Sequence, residues 1–455
     1  MGANGPDLLV AGAGGGLAGA VLAARSGLSV LVVDSSEHFL RGSNTAMSTA
    51  MIPGAGSRFQ RQAGVVDSPR TFVEDVMRKT HGQADPTLTA ALAEVSAELV
   101  EWLDEIGVPM HLVTDFDYPG HSVTRCHTVP GRSGARLLAN LHDIARHTAN
   151  LDILVPARLV DLDAAGAGWV ATVARPGGAA ERIPCGNVLL ATNGFGANAD
   201  LVARYLPEIA GATYHGSDQS TGDALRIGAR LGAATGYLDA YQGHGALAAG
   251  ANTLAGWALV MHGGIIVNSH GDRFADETTG YSEFAAIELT QPGHWAVIVF
   301  DRRIRDLCAA FDDYLNTERS GVVRWGDAGV IAGAFGLDRA RLLVALAGAE
   351  SARNGAVDAF GRAGWGPEPL IAPYGAVRVR PALFHTQGGL RVDGSARVLD
   401  GRHDPIGGLY AAGGAAMGIS GHGAAGYLAG NGLITALGLS YLAARHVAAT
   451  RTAAG

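Results

Sequence analysis

The chain has 455 residues, 48% hydrophobic and 17% charged, with a formal net charge of −8. That length exceeds one small domain, and the composition is that of a globular chain, not a disordered one. No basic cluster accompanies the acidic balance, which weighs against nucleic acid as a partner, and the 66 glycines lack the three-residue period of collagen.

The three cysteines, Cys126, Cys185 and Cys308, stand far apart and form neither C-x-x-C nor C-x-x-C-H. No attached haem, iron–sulfur cluster or zinc ribbon is signalled, and no metal is expected. So sparse a set suits a reducing compartment. The first strand begins too close to residue 1 for a signal peptide, and no uninterrupted apolar run reaches about 20 residues. A cytoplasmic protein without membrane insertion is expected.

The first predicted unit runs from Asp7 to Asp34. Leu8 to Ala11 is a buried-strand pattern, Leu17 to Arg25 is rich in helix formers, and Ser29 to Val33 is a second buried strand closed by Asp34. Between strand and helix lie Gly12, Gly14, Gly15, Gly16 and Gly19. Glycines there let a pyrophosphate approach the backbone, the helix N-terminus offers free N–H groups, and an acid after the second strand accepts from a ribose hydroxyl. The glycines fit two overlapping readings, Gly12-x-Gly14 with a third at Gly16, and Gly14-x-Gly16-x-x-Gly19. Either way the unit points to an adenosine dinucleotide.

Next comes Arg41 to Ser48, a loop of small hydroxyl and amide residues suited to phosphate or ring-edge contacts, with Gly42, Ser43, Asn44 and Thr45 as candidates. Thr71–Met77 and Pro86–Ile106 carry helical periodicity. The segment from His111 to Arg136 is non-periodic and gathers His121, Arg125, His127 and Arg132 among turn residues, a set that suits an anionic or carbonyl ligand. Leu137–Thr148 reads as helix, Ile153–Val160 and Trp169–Val173 as strands. Val188 to Gly196 is a strand entering a second glycine turn at Thr192, Asn193 and Gly194.

A helix is predicted from Thr221 to about Leu231. The composition then shifts toward aromatics and charges, with Tyr241-Gln242-Gly243-His244-Gly245, a predicted hairpin over 263–274, a strand over Trp295–Asp301 and a helix over Asp338–Asn354. Arg378 and Arg380 alternate on a strand before His385. A strand ending at Gly413-Gly414, and a glycine turn holding His422, Tyr427, Gly430 and Asn431 before a helix from Leu433, close the chain. The expected division is 1–235 and 361–455 for a dinucleotide-binding domain and 236–360 for an inserted domain.

These blocks, in this order, resemble the fumarate reductase/succinate dehydrogenase flavoprotein superfamily, which includes the 3-ketosteroid Δ1-dehydrogenases. The resemblance rests on RGSNTAMS, LLATNGFG, TGDALRIGARLGA, YQGHG, GGIIVNSHGDRFADE, HTQGGL, and GLYAAGG followed by GHGAAGYLAGNGL. It implies an α/β fold, a Rossmann-like FAD-binding domain interrupted by an α+β cap, with substrate bound between them over the isoalloxazine. It assigns FAD to Gly12, Gly14, Gly16, Asp34, the 42–45 loop, Thr192–Gly194, Gly413 and Asn431. In the superfamily's covalent members FAD hangs on a histidine of the loop that here reads Gly42-Ser43-Asn44-Thr45; these four positions have no histidine, so non-covalent FAD is expected.

Two departures from the family pattern bear on chemistry. The proton-donating arginine after the RF-x-x-E element falls on Tyr281, and the carboxylate-clamping arginine of the C-terminal element falls on Gly426 and Tyr427. His244 and His385 match the family's substrate-side histidines. The resemblance to ketosteroid dehydrogenases implies that Tyr427 or the Gly430 N–H polarises a carbonyl. Tyr281, with His244, then removes an α-proton, and a β-hydride passes to the flavin. Arg125, His127, Arg380 and His422 are candidate substrate contacts. The expectation is α,β-dehydrogenation of a cyclic ketone such as a ketosteroid or an oxocyclohexanecarboxylate, with electrons leaving to an external acceptor. The competing readings are a fumarate-type reductase of an activated C=C bond and a flavin electron-transfer protein with no small-molecule substrate.

Overall fold

The computed structural model describes residues 5–454 apart from 116, 117, 119 and 179. The chain forms two compact units. The first comprises Met1–Leu206, Gly216–Tyr241 and His385–Gly455, the second Pro207–His215 and Gln242–Phe384.

The first unit is built on a six-stranded sheet in the order Arg397–Leu399, Pro405–Ala411, Asn187–Leu190, Leu8–Ala11, Val30–Val33, Leu151–Leu154. All neighbours are parallel except the first pair. Leu8 faces Asn187 on one side and Val30 on the other. The strands at the centre are apolar throughout because helices cover both faces of such a sheet; Leu8, Leu9, Val10, Val188, Leu189 and Leu190 are fully buried. Parallel strands end on one edge, so Gly12, Asp34, Thr192 and Gly413 follow four strand ends on the same side. The chain reverses its order beside Leu8–Ala11, where open α/β sheets bind ligands.

The helix after the first strand spans Ala13–Arg25, four residues earlier than its composition predicts. It packs on the C-terminal helical run, Asn431–Leu433, a π-helical turn over Ile434–Gly438, and Leu439–Ala454. Asn431–Arg451 is long and apolar enough to cross a membrane by length and composition, and 67% of its apolar window is buried within the protein. The stretch read as a loop over 41–48 folds as two short helices, Phe39–Gly42 and Asn44–Met47, because Ser43 Oγ caps the second by accepting from Ala46 N.

The second unit centres on the long strand Tyr374–Thr386, which pairs with Thr213–Tyr214, Ala296–Phe300, Tyr241–Ala248 and Arg324–Gly326; Ile265–Asn268 adds beyond Ala296–Phe300. That strand carries the unit to Phe384, past the expected close at 360, because its register with Ala296–Phe300 ties it to the unit's core. The predicted hairpin over 263–274 does not form. Ile265–Asn268 pairs with Ala296–Phe300 instead, and Asn268 Oδ1 bends the chain by accepting from His270 N and Asp272 N. Arg273 then enters a buried ion network: it donates twice to Glu277, at 2.8 Å each, and to Asp358 at 2.6 Å, while Arg362 reaches Glu277 at 3.1 Å. Every buried charge of that network is paired, the condition under which burial is tolerated.

Candidate cofactor and active site

The turn at Gly12 separates the two glycine readings. Gly12 has φ +106°, and a Cβ there would stand 2.1 Å from Ala191 O. A Cβ at Gly16 would stand 2.4 Å from Val10 Cγ1, which is close helix–strand packing, and one at Gly19 would stand 2.4 Å from Ser440 O, which is helix–helix packing. The Gly12-x-Gly14 turn with Gly16 as the third glycine is therefore the working frame, and Gly19 serves the C-terminal helix. Gly14 faces Ser43 and Thr45, where a Cβ would find atoms at 3.2 and 3.3 Å.

Asp34 Oδ2 accepts from Ala13 N at 2.8 Å and Oδ1 from Ser36 N at 2.9 Å. Burial pushes its pKa up, against these two N–H donors. Each oxygen keeps a second lone pair, so the ribose role stays open to it. Asn44 Oδ1 accepts from Ser217 N at 2.6 Å, and Gly42 has open space around it. Asn193, with φ +64°, donates to Ser220 Oγ at 2.8 Å and accepts from Gly194 N at 2.9 Å. A Cβ on Gly194 would stand 1.8 Å from Thr386 Oγ1.

Among the described residues, two buried polar atoms on this edge have no protein partner, Thr192 Oγ1 and Asn431 Oδ1. An orphaned buried acceptor is costly and rare. Asn431 also opens the C-terminal helical run, after Gly430 at φ +88°. Free acceptors at a strand end and a helix N-terminus, beside a glycine turn without side chains, fit an FAD: backbone N–H groups for its phosphates and acceptors for its polar hydrogens. The FAD-binding residues expected from the sequence thus lie on one unit.

The same unit holds His385, Gln387, Ser420, Tyr427, Gly430 and Gly432. His385 Nδ1 has two contacts, Gln387 Nε2 at 2.8 Å and Thr386 O at 3.5 Å; the shorter, in which the amide donates, puts the His385 proton on Nε2. The Gln387 amide is held in turn: Ser420 Oγ donates to its Oε1 at 3.0 Å, and Asn431 Nδ2 donates to Ser420 Oγ at 3.0 Å. Burial pulls the His385 pKa down to about 4, so the ring is neutral. Its Nε2 lies 3.0 Å from where a Gly432 Cβ would stand, and the Tyr427 ring is edge-on to it at 5.7 Å. Burial raises the Tyr427 phenol, against the Gly432 N–H beside it; a phenol so placed is a donor rather than a base.

The second unit holds His244 and Tyr281. The imidazole lies between two rings, 4.8 Å from Tyr281 and 5.1 Å from Phe384, nearly parallel to both, with Trp257 edge-on at 5.9 Å. Ala246 N donates to His244 Nδ1 at 3.1 Å, again placing the proton on Nε2. Burial brings its pKa to about 3. Tyr281 begins the helix Tyr281–Leu289, so its stacking on His244 is set by the helix start. His244 meets Tyr281 as a neutral ring, not as a cation.

Each of the four candidate substrate contacts of the sequence has a partner within the protein. Arg125 is 1% exposed; it donates to both Asp67 oxygens at 2.9 Å and to Asp75 at 2.5 Å. These carboxylates, invisible as partners across more than 40 residues of sequence, turn it from a ligand group into a structural one. His127 is buried against Ser57 Oγ at 2.7 Å. His422 is half exposed and pairs with Asp239 at 2.9 Å. Arg380 donates to Asn252 Oδ1, and Arg378 lies over the Trp295 ring and donates to Phe335 O. Sequence reasoning missed Gln387, although the alternation of a strand end places residues 385 and 387 on one side. It also missed Phe384 and Trp257, which carried no polar signal.

A family model described as an FAD binding domain matches residues 7–433. An NADH:fumarate oxidoreductase of Klebsiella pneumoniae (strain 342) is 29% identical over 91% of this chain and 45% of its own length. A protein named as a probable fumarate reductase of Shewanella frigidimarina (strain NCIMB 400) is 30% identical over 91% of this chain and 71% of its own. The chain thus spans less than half of the first relative. The open conformation of a flavocytochrome c3 fumarate reductase matches with a TM-score of 0.83 at 28% identity, covering 98% of this chain and 78% of that one. A 3-ketosteroid Δ1-dehydrogenase from Sterolibacterium denitrificans, in complex with 1,4-androstadiene-3,17-dione, shares the fold at a TM-score of 0.78 and 21% identity, covering 98% and 100%.

Proposed function

The chain belongs to the fumarate reductase/succinate dehydrogenase flavoprotein superfamily, and on that premise we propose that it is an FAD-dependent oxidoreductase acting on a CH–CH bond beside a ketone carbonyl. The carrying observation is the donor set. Both substrate-side histidines are neutral Nε2–H donors, and tyrosines stand where the family pattern has arginines. Neutral donors match a carbonyl oxygen; a dicarboxylate calls for fixed cations.

In this reading the Tyr427 hydroxyl or the Gly430 N–H donates to the ketone oxygen and stabilises the enolate that forms. Tyr281, as its phenolate, accepts the α-proton and becomes the phenol, with His244 stacked against it to fix its ring. The α C–H electron pair forms the new C=C bond as the β C–H leaves with its pair, so ketone becomes conjugated enone. FAD, when bound, supplies the two-electron acceptor for that hydride. Ser43, Asn44 and Thr45 would hold it without a covalent link, since no histidine lies among 42–45. A cyclic ketone of ketosteroid or oxocyclohexanecarboxylate type is the proposed substrate, a quinone-like carrier, oxygen or a protein the acceptor, and the cytoplasm the proposed location.

One observation favours a second reading, reduction of an activated C=C bond: the relatives at 28–30% identity are named fumarate reductases. Anaerobic mixing of the FAD-loaded protein with saturated cyclic ketones and keto acids separates the two. Bleaching of the oxidised-flavin band by a ketone, lost in Tyr427→Phe or Tyr281→Phe, supports the dehydrogenase. No bleaching, with rapid reoxidation of the reduced protein by fumarate, supports the reductase.

A further inference from the structure

The segment from His121 to Arg125, unusual in the sequence and without a place in the chemistry above, ends on the Ala429–Gly430 peptide. His121 Nε2 lies 2.9 Å from Ala429 O, and its Nδ1 lies 3.2 Å from Arg125 Nη1. A carbonyl only accepts and a guanidinium only donates, so both contacts demand the same tautomer, with the proton on Nε2. Burial holds the ring neutral, with a pKa of about 4. Arg125 cannot turn away: Asp67 grips it through both oxygens and Asp75 through one, and Asp75 is itself held by Ser122 N at 2.8 Å and Ser122 Oγ at 2.9 Å. The guanidinium also lies over the Phe72 ring at 4.9 Å.

In a trans peptide the C=O and the next N–H point opposite ways. Holding Ala429 O toward His121 therefore aims the Gly430 N–H away from the ion-paired block. Gly430 needs that hold because its φ of +88° and the Pro53 ring, 2.6 Å from where a Cβ would stand, leave it no side chain of its own to fix the peptide.

We propose that His121 is a positioning residue: through its Nε2–H bond to Ala429 O, with its tautomer set by the Asp67–Arg125–Asp75 triad, it orients the Gly430 N–H toward a ligand oxyanion. The inference rests on the reading of Gly430 as a donor to a carbonyl-derived oxygen. The test uses FAD-loaded protein and 4-nitrophenolate as an enolate mimic, with affinity read from the absorbance change and folding from the flavin spectrum. His121→Gln puts an amide N–H at the Nε2 position. His121→Asn keeps an acceptor for Arg125 but is too short to reach Ala429, and His121→Phe offers neither contact. Affinity is expected to stay within about twofold for Gln and to fall about tenfold for Asn and Phe, with the flavin spectrum unchanged. Equal affinity in all three, or equal loss in all three, overturns the positioning role while leaving the donor reading intact. Failure of the wild type to bind 4-nitrophenolate overturns the donor reading itself, and the proposal with it.

Discussion

Replacing Arg125 by methionine distinguishes a structural cation from a substrate contact. The side chain is fully buried, and its two partners are 0% and 1% exposed. Arg125→Met removes three charge-assisted bonds, strips the buried Asp67 of its cation and leaves Asp75 with Arg78 alone as a cation among the described residues. Asp67 keeps Gln60 Nε2 and Ser68 N, each at 2.8 Å, and Asp75 keeps Ser122 and the half-exposed Arg78. Breaking a buried pair from one side costs about 3–5 kcal/mol because a charge is left uncompensated. Urea unfolding of the FAD-loaded protein, followed by flavin fluorescence, should show that loss as a lowered midpoint. The double variant Arg125→Met/Asp67→Asn should be more stable than Arg125→Met alone, since one stranded charge is gone. An Arg125→Met protein that unfolds at the wild-type midpoint would refute the structural reading.

Gly12→Ala should lose FAD and stability together, by about 2–4 kcal/mol from the positive φ and the Ala191 O contact; visible absorbance after gel filtration checks it. Acid should unfold the protein early. His121, His127 and His385 at about 4 and His244 at about 3 are held neutral by burial, while the unfolded chain takes protons near 6.5. Their stabilisation is complete above about pH 6.5 and is lost as pH falls toward about 4, so unfolding midpoints recorded from pH 8 to 5 should drop most steeply below 6.5. The rate of flavin reduction should show no inflection near 6.5 from His244 or His385, which a stopped-flow pH series reads directly. Gln387→Leu, which removes the donor to His385 Nδ1, should lower that rate about tenfold with little change in the melting temperature.

Local patterns made much of the scaffold readable. Leu8–Ala11, Val30–Val33 and the stripe on Pro86–Glu105 show their burial in their own spacing. The glycine turn was ambiguous because spacing does not tell a phosphate-facing glycine from a packing one; only the Val10 and Ser440 contacts separate Gly16 from Gly19. The false hairpin over 263–274 shows the opposite failure, since Arg273 and Phe274 look strand-like until Glu277 and Asp358 claim the guanidinium. Arg125 belongs with it: its partners lie 50 and 58 residues away, and no local rule links them. His244 and His385 are candidates by motif, but their shared tautomer follows from Ala246 N and Gln387, which only the folded chain brings to them.

In the proposed reaction a saturated ketone gives up an α-proton and a β-hydride to the FAD-loaded protein. A single anaerobic turnover of the FAD-loaded protein with a cyclic ketone, the product analysed by mass spectrometry, tests it most directly. One conjugated enone, two hydrogens lighter than the ketone, is expected for each flavin bleached. An unchanged ketone over an oxidised flavin, with fumarate rapidly reoxidising the reduced protein, would contradict it.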